Sequence, residues 1–423
     1  MKVLSGLATL PVGLRFGAVL LYRRMFSRGR YPLVYLSRKK NGFLKTLALL
    51  QQCRLTKIIK VRRKYHFSLA EPRWPSPAYD RMMANGGLNI GGCGTPAKSH
   101  IDLAILAITR ACAYRCEHCY ERHNLNRPDT VPLSRWQSVI EELQTTGVSV
   151  VALSGGEPLT RFEKTLSLLE TADKTRSDFH LYTTGHGATE DRVGALVNAG
   201  LAAVGIGLDH FDPARHDAIR GYKGAFANAV RALRMFGDAG ILTFVNACLT
   251  KGLVRGNGLE RFYDLLHTLG VGGMQLLEPK PCGGYAGQKV STWYGAEERR
   301  ATRAFFESTY QSGNHRGYPA VYLPAHMEAP ENMGCMMGGL SHLHIDSLGN
   351  VEPCVFMPVS FGNITEMNFS DIYRRMREAI PRPLHGRCPA LHMADRVGFS
   401  PESGRVLPLA FESVRDEWGR MYA

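Results

Sequence analysis

From residue 101 onward, short apolar runs alternate with longer stretches that carry helical periodicity. The runs fall near 101–109, 148–153, 178–183, 202–208, 241–249 and 271–278, and each reads as a buried strand. Six strand–helix repeats predict an α/β fold with a parallel sheet and helices outside it, a partial (βα)6 TIM-like barrel. In such a barrel the chemistry belongs at the carboxyl ends of the strands. After a last helix near 296–311 the alternation is lost, which predicts a small carboxyl-terminal unit over 313–423. Before the barrel, Pro72, Pro75 and Pro77 and the glycines from Gly86 to Gly94 read as a linker over 67–100. The expected units are therefore 1–66, 67–100, 101–312 and 313–423.

Charge separates the first unit from the rest. Of the 52 Lys and Arg, 16 lie in residues 1–64, which contain no Asp or Glu, leaving 36 basic against 37 acidic residues elsewhere. The apolar start is broken by Pro11 and Arg15 and lacks a small-residue cleavage site, so neither a removed signal peptide nor a spanning helix is expected. A helical, basic amphipathic extension of this kind adsorbs to anionic lipid, packs as a cap on the rest of the chain, or, as a competing reading, binds RNA phosphates. The expected location is cytoplasmic, peripheral at the inner face of the membrane.

Ten cysteines are present, and their clustering points to metal rather than disulfides. Directly after the first strand comes Cys112-Ala113-Tyr114-Arg115-Cys116-Glu117-His118-Cys119. Thiolates select zinc, copper(I) or iron–sulfur clusters, and structural zinc asks for four closed ligands, whereas this run offers three. The second strand ends in Ser154-Gly155-Gly156-Glu157-Pro158, the third in Thr183-Thr184, and the fourth in Gly207-Leu208-Asp209.

In this order the four segments resemble the signature of radical S-adenosylmethionine (SAM) enzymes, over roughly residues 101–280. The resemblance implies that Cys112, Cys116 and Cys119 hold a [4Fe–4S] cluster whose open iron chelates SAM. Gly155, Gly156 and Glu157 would then meet the SAM amino group. Thr183 and Thr184 would lie near the ribose or methionine carboxylate, with Asp209 and His118 also in the SAM site. Where the family usually has Ser, this chain has Gly207. The implied reaction is reductive cleavage of SAM to a 5′-deoxyadenosyl radical that takes hydrogen from a substrate.

Downstream, Cys335, thirteen residues, Gly349, four residues and Cys354 resemble the opening of SPASM and Twitch extensions, which carry auxiliary clusters. Residues 344–352 read as a hairpin with Leu348-Gly349-Asn350 at its turn. A full SPASM domain shows four further clustered cysteines, but only Cys388 follows here. The implication is one auxiliary cluster on Cys335, Cys354 and Cys388, its fourth ligand being Cys282, a histidine (His342, His344 or His392) or none. Glu278 and Cys282, after the sixth strand, are candidates for the substrate side. Cys53, Cys93 and Cys248 read as buried free thiols.

The family's substrates are peptides and cofactor or haem-related precursors, and the basic extension adds a lipid precursor. A one-electron donor such as flavodoxin or ferredoxin is implied. Two other readings are a non-catalytic iron–sulfur redox or binding protein and an RNA-modifying radical SAM enzyme.

Overall fold

The computed structural model describes residues 1–4, 57–85, 101–311, 315–399 and 407–422. Most of the basic extension, much of the Gly-rich linker, Cys53 and Cys93 lie outside the described residues.

Where a helical extension is expected, the described residues of 1–66 form a small antiparallel sheet, β1 (Lys2–Leu4), β2 (Ile58–Val61) and β3 (Lys64–His66), because alternating Ile59 and Val61 bury one strand face; helix α1 (Pro77–Ala84) follows. The alternating core then runs β4 (Ile101–Ala107), α2 (Leu133–Thr146), β5 (Val148–Ser154), α3 (Phe162–Thr171), β6 (Asp178–Thr183), α4 (Glu190–Asn198) and β7 (Leu201–Gly207). It continues through α5 (Pro213–Arg220), α6 (Ala225–Asp238), β8 (Leu242–Cys248), α7 (Lys251–Val254), α8 (Gly258–Thr268), β9 (Gly273–Leu277) and α9 (Ala296–Gln311). The carboxyl-terminal part contributes β10 (Ala320–Tyr322), α10 (Pro324–Met327), β11 (His342–Ile345), β12 (Val351–Glu352), β13 (Val359–Ser360), α11 (Phe369–Ala379), α12 (Pro389–Arg396), β14 (Leu409–Ala410) and α13 (Arg415–Tyr422).

The six strands β4 to β9 lie side by side in chain order and in parallel, as the six apolar runs predict. The sheet extends to nine strands. β10 pairs parallel to β9 at one edge, and at the other β11 pairs parallel to β4, with β12 antiparallel beyond it. The second cysteine-bearing segment is thus hydrogen-bonded onto the strand that launches the first. The hairpin is as predicted: His344 faces Glu352, Ile345 faces Val351, and Gly349 turns the chain at φ +90°.

One face of the strands packs against the helices through Leu153, Phe179, Leu181, Val204, Ile206 and their neighbours, all fully buried. The other face closes the barrel floor. There Ile59, Val61 and Leu69 join Ala203, Leu242, Phe244, Ala320 and Tyr322 in one apolar cluster. Burial of such a side chain is worth about 1.5–3 kcal/mol, so the small sheet is a plug held by apolar burial. With the floor sealed, the open mouth is at the carboxyl ends of the strands.

Candidate functional site

The cysteine loop leaves β4 at Thr109, and Asp129 fastens its base by accepting from Thr109 Oγ1 at 3.0 Å and from the Arg110 amide at 2.8 Å. The glycine segment after β5 lies against this base. The Gly156 amide donates to the Thr109 carbonyl and the Glu157 amide to the Ala111 carbonyl, each at 2.7 Å. No side chain fits between them: a Cβ on Gly155 would stand 2.6 Å from the Thr109 oxygen, and one on Gly156 2.4 Å from the Ala111 oxygen. Gly155 also sits at φ +134°, where only glycine is relaxed.

Glu157 turns its buried carboxylate toward the end of β6. It accepts from Thr183 Oγ1 (2.6 Å), the Thr184 amide (2.7 Å), Thr184 Oγ1 (2.6 Å) and the Leu159 amide (3.0 Å). The carboxylate and both threonine hydroxyls are therefore committed to one another. Burial raises the Glu157 carboxyl, and these donors pull it back.

Asp209, fully buried after β7, accepts from the Cys248 amide at 2.9 Å and forms an ion pair of 2.6 Å with Arg220. His118 and His216 stand 3.9 Å away from it. Burial would raise the Asp209 carboxyl, but Arg220, with His118 and His216, holds it at about 2. Helix α5 positions Arg220: Asp212 caps its start through the Arg215 amide, Pro213 opens it, and Gly221 ends it at φ +58°. The guanidinium fills the space beside Gly207, where a Cβ would meet Nη2 at 2.4 Å, and Nη1 reaches to 3.9 Å from Cys116 Sγ.

A cavity of about 1390 Å³ opens here. Cys112, Cys116, Cys119, His118, Gly155, Gly156, Thr183, Thr184 and Asp209 all line it, as do Cys282, Cys335, Cys354 and Cys388. Burial pushes the Cys112 and Cys282 thiols up to about 12 and raises Cys116, Cys119, Cys335 and Cys354 as well. Of the three histidines considered as auxiliary ligands, His344 bonds Glu352 through Nδ1 at 2.9 Å and His392 bonds Glu417 through Nε2 at 2.7 Å. His342 lines the cavity with Nδ1 3.7 Å from Glu328.

Two family models match the sequence: the radical SAM superfamily over residues 106–266 and the SPASM iron–sulfur cluster-binding domain over 335–389. The chain is a radical SAM enzyme with a SPASM domain. Similar curated proteins include the AdoMet-dependent heme synthase of Nitratidesulfovibrio vulgaris, 23% identical over 63% of this chain and 77% of that protein. The PqqA peptide cyclase of Gluconobacter oxydans is 24% identical over 64% and 76%. Among solved structures, Streptococcus suis SuiB bound to its precursor peptide SuiA superposes with a TM-score of 0.53 at 17% identity, the match covering 65% of each chain. That likeness shows the shared fold.

A radical SAM domain implies a [4Fe–4S] cluster and SAM, and a SPASM domain implies auxiliary iron–sulfur clusters. The residues present fit such groups. Among the described residues no three His, Cys, Asp or Glu side chains gather tightly enough for one metal ion. The thiols instead spread along a shared cavity wall, and soft sulfur ligands of this kind suit iron–sulfur clusters.

Arg220 escapes sequence reasoning, since it lies thirteen residues beyond Gly207. Its signal is the absent side chain at Gly207, which leaves room for a guanidinium. A second unforeseen feature is the buried contact between the loop and the hairpin. Ser347 Oγ donates to Glu121 Oε2 at 2.6 Å, and His344 Nε2 lies 3.9 Å from Glu121 Oε1.

Proposed function

We propose that Cys112, Cys116 and Cys119 hold the SAM-cleaving cluster and that Cys335, Cys354 and Cys388 hold one auxiliary cluster, both facing one reaction cavity. The observation that carries this reading is the shared lining of that cavity by both cysteine sets and the glycine segment. When bound, the cluster and SAM supply one-electron cleavage chemistry and hydrogen abstraction from the substrate. The protein's part is orientation. Gly155 and Gly156 present bare backbone to the ligand, and Thr183 and Thr184 are held in register by Glu157. His118 and the Asp209–Arg220 pair form the wall behind Cys116. Glu157 thus acts on SAM through the loop it braces, with its backbone rather than its carboxylate at the amino group.

The substrate that the comparisons favour is a peptide, as with the peptide cyclases and SuiB, and a cavity larger than the roughly 300–1000 Å³ of common small-ligand sites suits it. The second reading is a tetrapyrrole cofactor precursor, favoured by the heme synthase relatives. Residues 1–66 are proposed as a basic extension whose strands β1 to β3 plug the barrel floor and whose intervening segment docks on an anionic membrane face, 67–100 as a connecting segment that carries helix α1, 101–312 as the radical SAM core and 313–423 as the auxiliary-cluster unit. Among the described residues no helix is long and apolar enough to cross a membrane. A flavodoxin or ferredoxin is the proposed electron donor.

The test is 5′-deoxyadenosine formation from SAM by anaerobically reconstituted, reduced protein, with Cys119→Ala as control. Production by both or by neither refutes the cluster assignment. Adding a small-molecule extract with and without prior peptidase digestion then separates the substrates. Stimulation lost on digestion supports a peptide, and stimulation that survives supports the tetrapyrrole.

A further inference from the structure

The plug sheet β1–β3 has a second face, turned away from the barrel. Val3, Ile59 and Val61 point inward to the floor cluster. In the antiparallel register Lys2 stands directly opposite Lys60, and Lys60 opposite Tyr65, so these three share the outward face. Trp74 and helix α1 cover the end of that face that carries Leu4 and Ile58. At the other end Lys2 is exposed, and half-buried Lys60 holds its ammonium 5.7 Å from the centre of the Tyr65 ring. The turn between β2 and β3 adds Arg62 and Arg63, both exposed. Arg62 Nη2 donates to the Ala239 carbonyl at 2.8 Å, in the turn that leads into β8, and Ile59 packs on Gly272, just before β9. The sheet is thus fixed at the amino ends of the strands, opposite the mouth.

Like charges directly opposite in a sheet destabilise it. Among the described residues none of Lys2, Lys60, Arg62 and Arg63 enters an ion pair, and Asp238, exposed at the end of α6, makes none with Arg62. The counter-charge has to come from elsewhere. The chain leaves this sheet after Leu4 and re-enters it at Ile58, two residues that pair with each other. Residues 5–56 between them hold ten Lys or Arg and no Asp or Glu, so they add to the positive charge instead of neutralising it. Tyr65 is packed on Trp74, with ring centres 5.8 Å apart, and so offers no stacking platform for nucleic-acid bases. What fits is an extended surface of fixed negative charge.

We propose that Lys2, Lys60, Arg62 and Arg63 form a docking face for anionic phospholipid, so that the bilayer lies under the barrel floor and the mouth opens away from it. A seven-residue strand rises about 20 Å. That is more than twice the Debye length of about 8 Å at physiological salt. The mouth therefore stands outside the field of the membrane and takes its substrate from solution. This rests on the anionic-membrane reading made above and adds to it the face and the orientation.

The test is hydrogen exchange of the full, cluster-loaded chain with vesicles of phosphatidylserine and phosphatidylcholine, or of phosphatidylcholine alone. Expected is slower exchange over 58–66 and 238–241 with the anionic vesicles and unchanged exchange over the mouth loop 112–127. Slowing at 112–127 but not at 58–66 sets the membrane at the mouth and overturns the proposal, as does equal slowing with phosphatidylcholine alone. Pelleting with the anionic vesicles and no slowing at 58–66 overturns the floor face while leaving docking through residues 5–56 intact, whereas no pelleting overturns both. Slowing at 58–66 by a single-stranded RNA and not by vesicles replaces lipid with nucleic acid. Each cation near an anionic surface is worth about fivefold in binding, so Lys60→Gln with Arg63→Gln raises the anionic lipid needed for half-maximal pelleting about twenty-five-fold. An unchanged midpoint refutes the face, and exchange in the unaltered chain gives the answer if that variant does not fold.

Discussion

Two buried histidines in the barrel floor make the fold acid-sensitive. His66 ends β3 and His180 lies mid-strand in β6, each only 1% exposed. Neither ring nitrogen of His180 has a hydrogen-bond partner, nor has Nδ1 of His66. Burial depresses both to about 3, with Arg73 adding to both and His180 adding to His66. Arg73 itself pairs with Asp178 at 3.4 Å, the carboxylate that faces this pocket. The folded chain thus keeps both rings neutral, whereas the unfolded chain protonates them below about pH 6.5. Stability from these groups is full above pH 6.5 and is lost as pH falls toward 3, because the unfolded state binds more protons in that window. At pH 5.5 the loss is about 1.4 kcal/mol per histidine, or about 3 kcal/mol for the pair. His180→Leu removes one contribution and also an unsatisfied polar ring, a gain of about 1–3 kcal/mol at pH 7.5. The assay is the urea midpoint of parent and variant, each carrying the same clusters, at pH 7.5 and 5.5. The variant's advantage grows by about 1.4 kcal/mol at the lower pH. An advantage that is constant or shrinks refutes the reasoning, since other titrating groups cancel in the comparison.

Other consequences are equally direct. Gly156→Ala drives a Cβ into the Ala111 carbonyl and is expected to lower 5′-deoxyadenosine formation by about a hundredfold while iron content stays unchanged. Arg220→Met leaves Asp209 buried without its cation, which costs about 3–5 kcal/mol in urea unfolding, much of it regained when Asp209→Asn is added. Glu157→Gln sets an amide NH₂ against donors from Thr183 and Thr184, with an expected loss of about 1–3 kcal/mol by the same measurement. Replacing residues 5–56 by a Gly-Ser linker, which keeps the pairing of β1 with β2, abolishes pelleting with phosphatidylserine vesicles. Salt-sensitive RNA binding lost in that variant, without vesicle binding in the parent, would favour nucleic acid instead.

The barrel was legible because a strand covered on both faces must be apolar along its whole length. Runs near 148–153 and 202–208 therefore stand out even without alternation, and the observed strands, Val148–Ser154 and Leu201–Gly207, begin within one residue of them. The hairpin at 344–352 was legible through its turn, but its place beside β4 was not. Pairing of β11 with β4 spans more than two hundred residues, and no local pattern encodes such an edge. The floor plug was hidden for a similar reason. Ile59 and Val61 sit in a short strand within basic surroundings, and only the tertiary structure shows that their apolar faces close the barrel.

The site divides along the same line. Residues proposed to meet a ligand through fixed chemistry, such as Cys112, Cys116, Cys119 and the Gly155-Gly156 pair, announce themselves by type and spacing. Residues that act by filling space left by another residue do not. Arg220 is intelligible only once Gly207 is seen to lack the side chain that would displace it, and the spacing of thirteen positions carries no local signal. The loop after β9 is the same kind of case: Gly283 and Gly284 let it touch Cys119 and Glu117, a contact with no local signal. A departure from a family pattern such as the missing Ser is therefore best read as a vacancy that a distant residue fills. In this chain the occupant is Arg220, which the fold, not the motif, supplies.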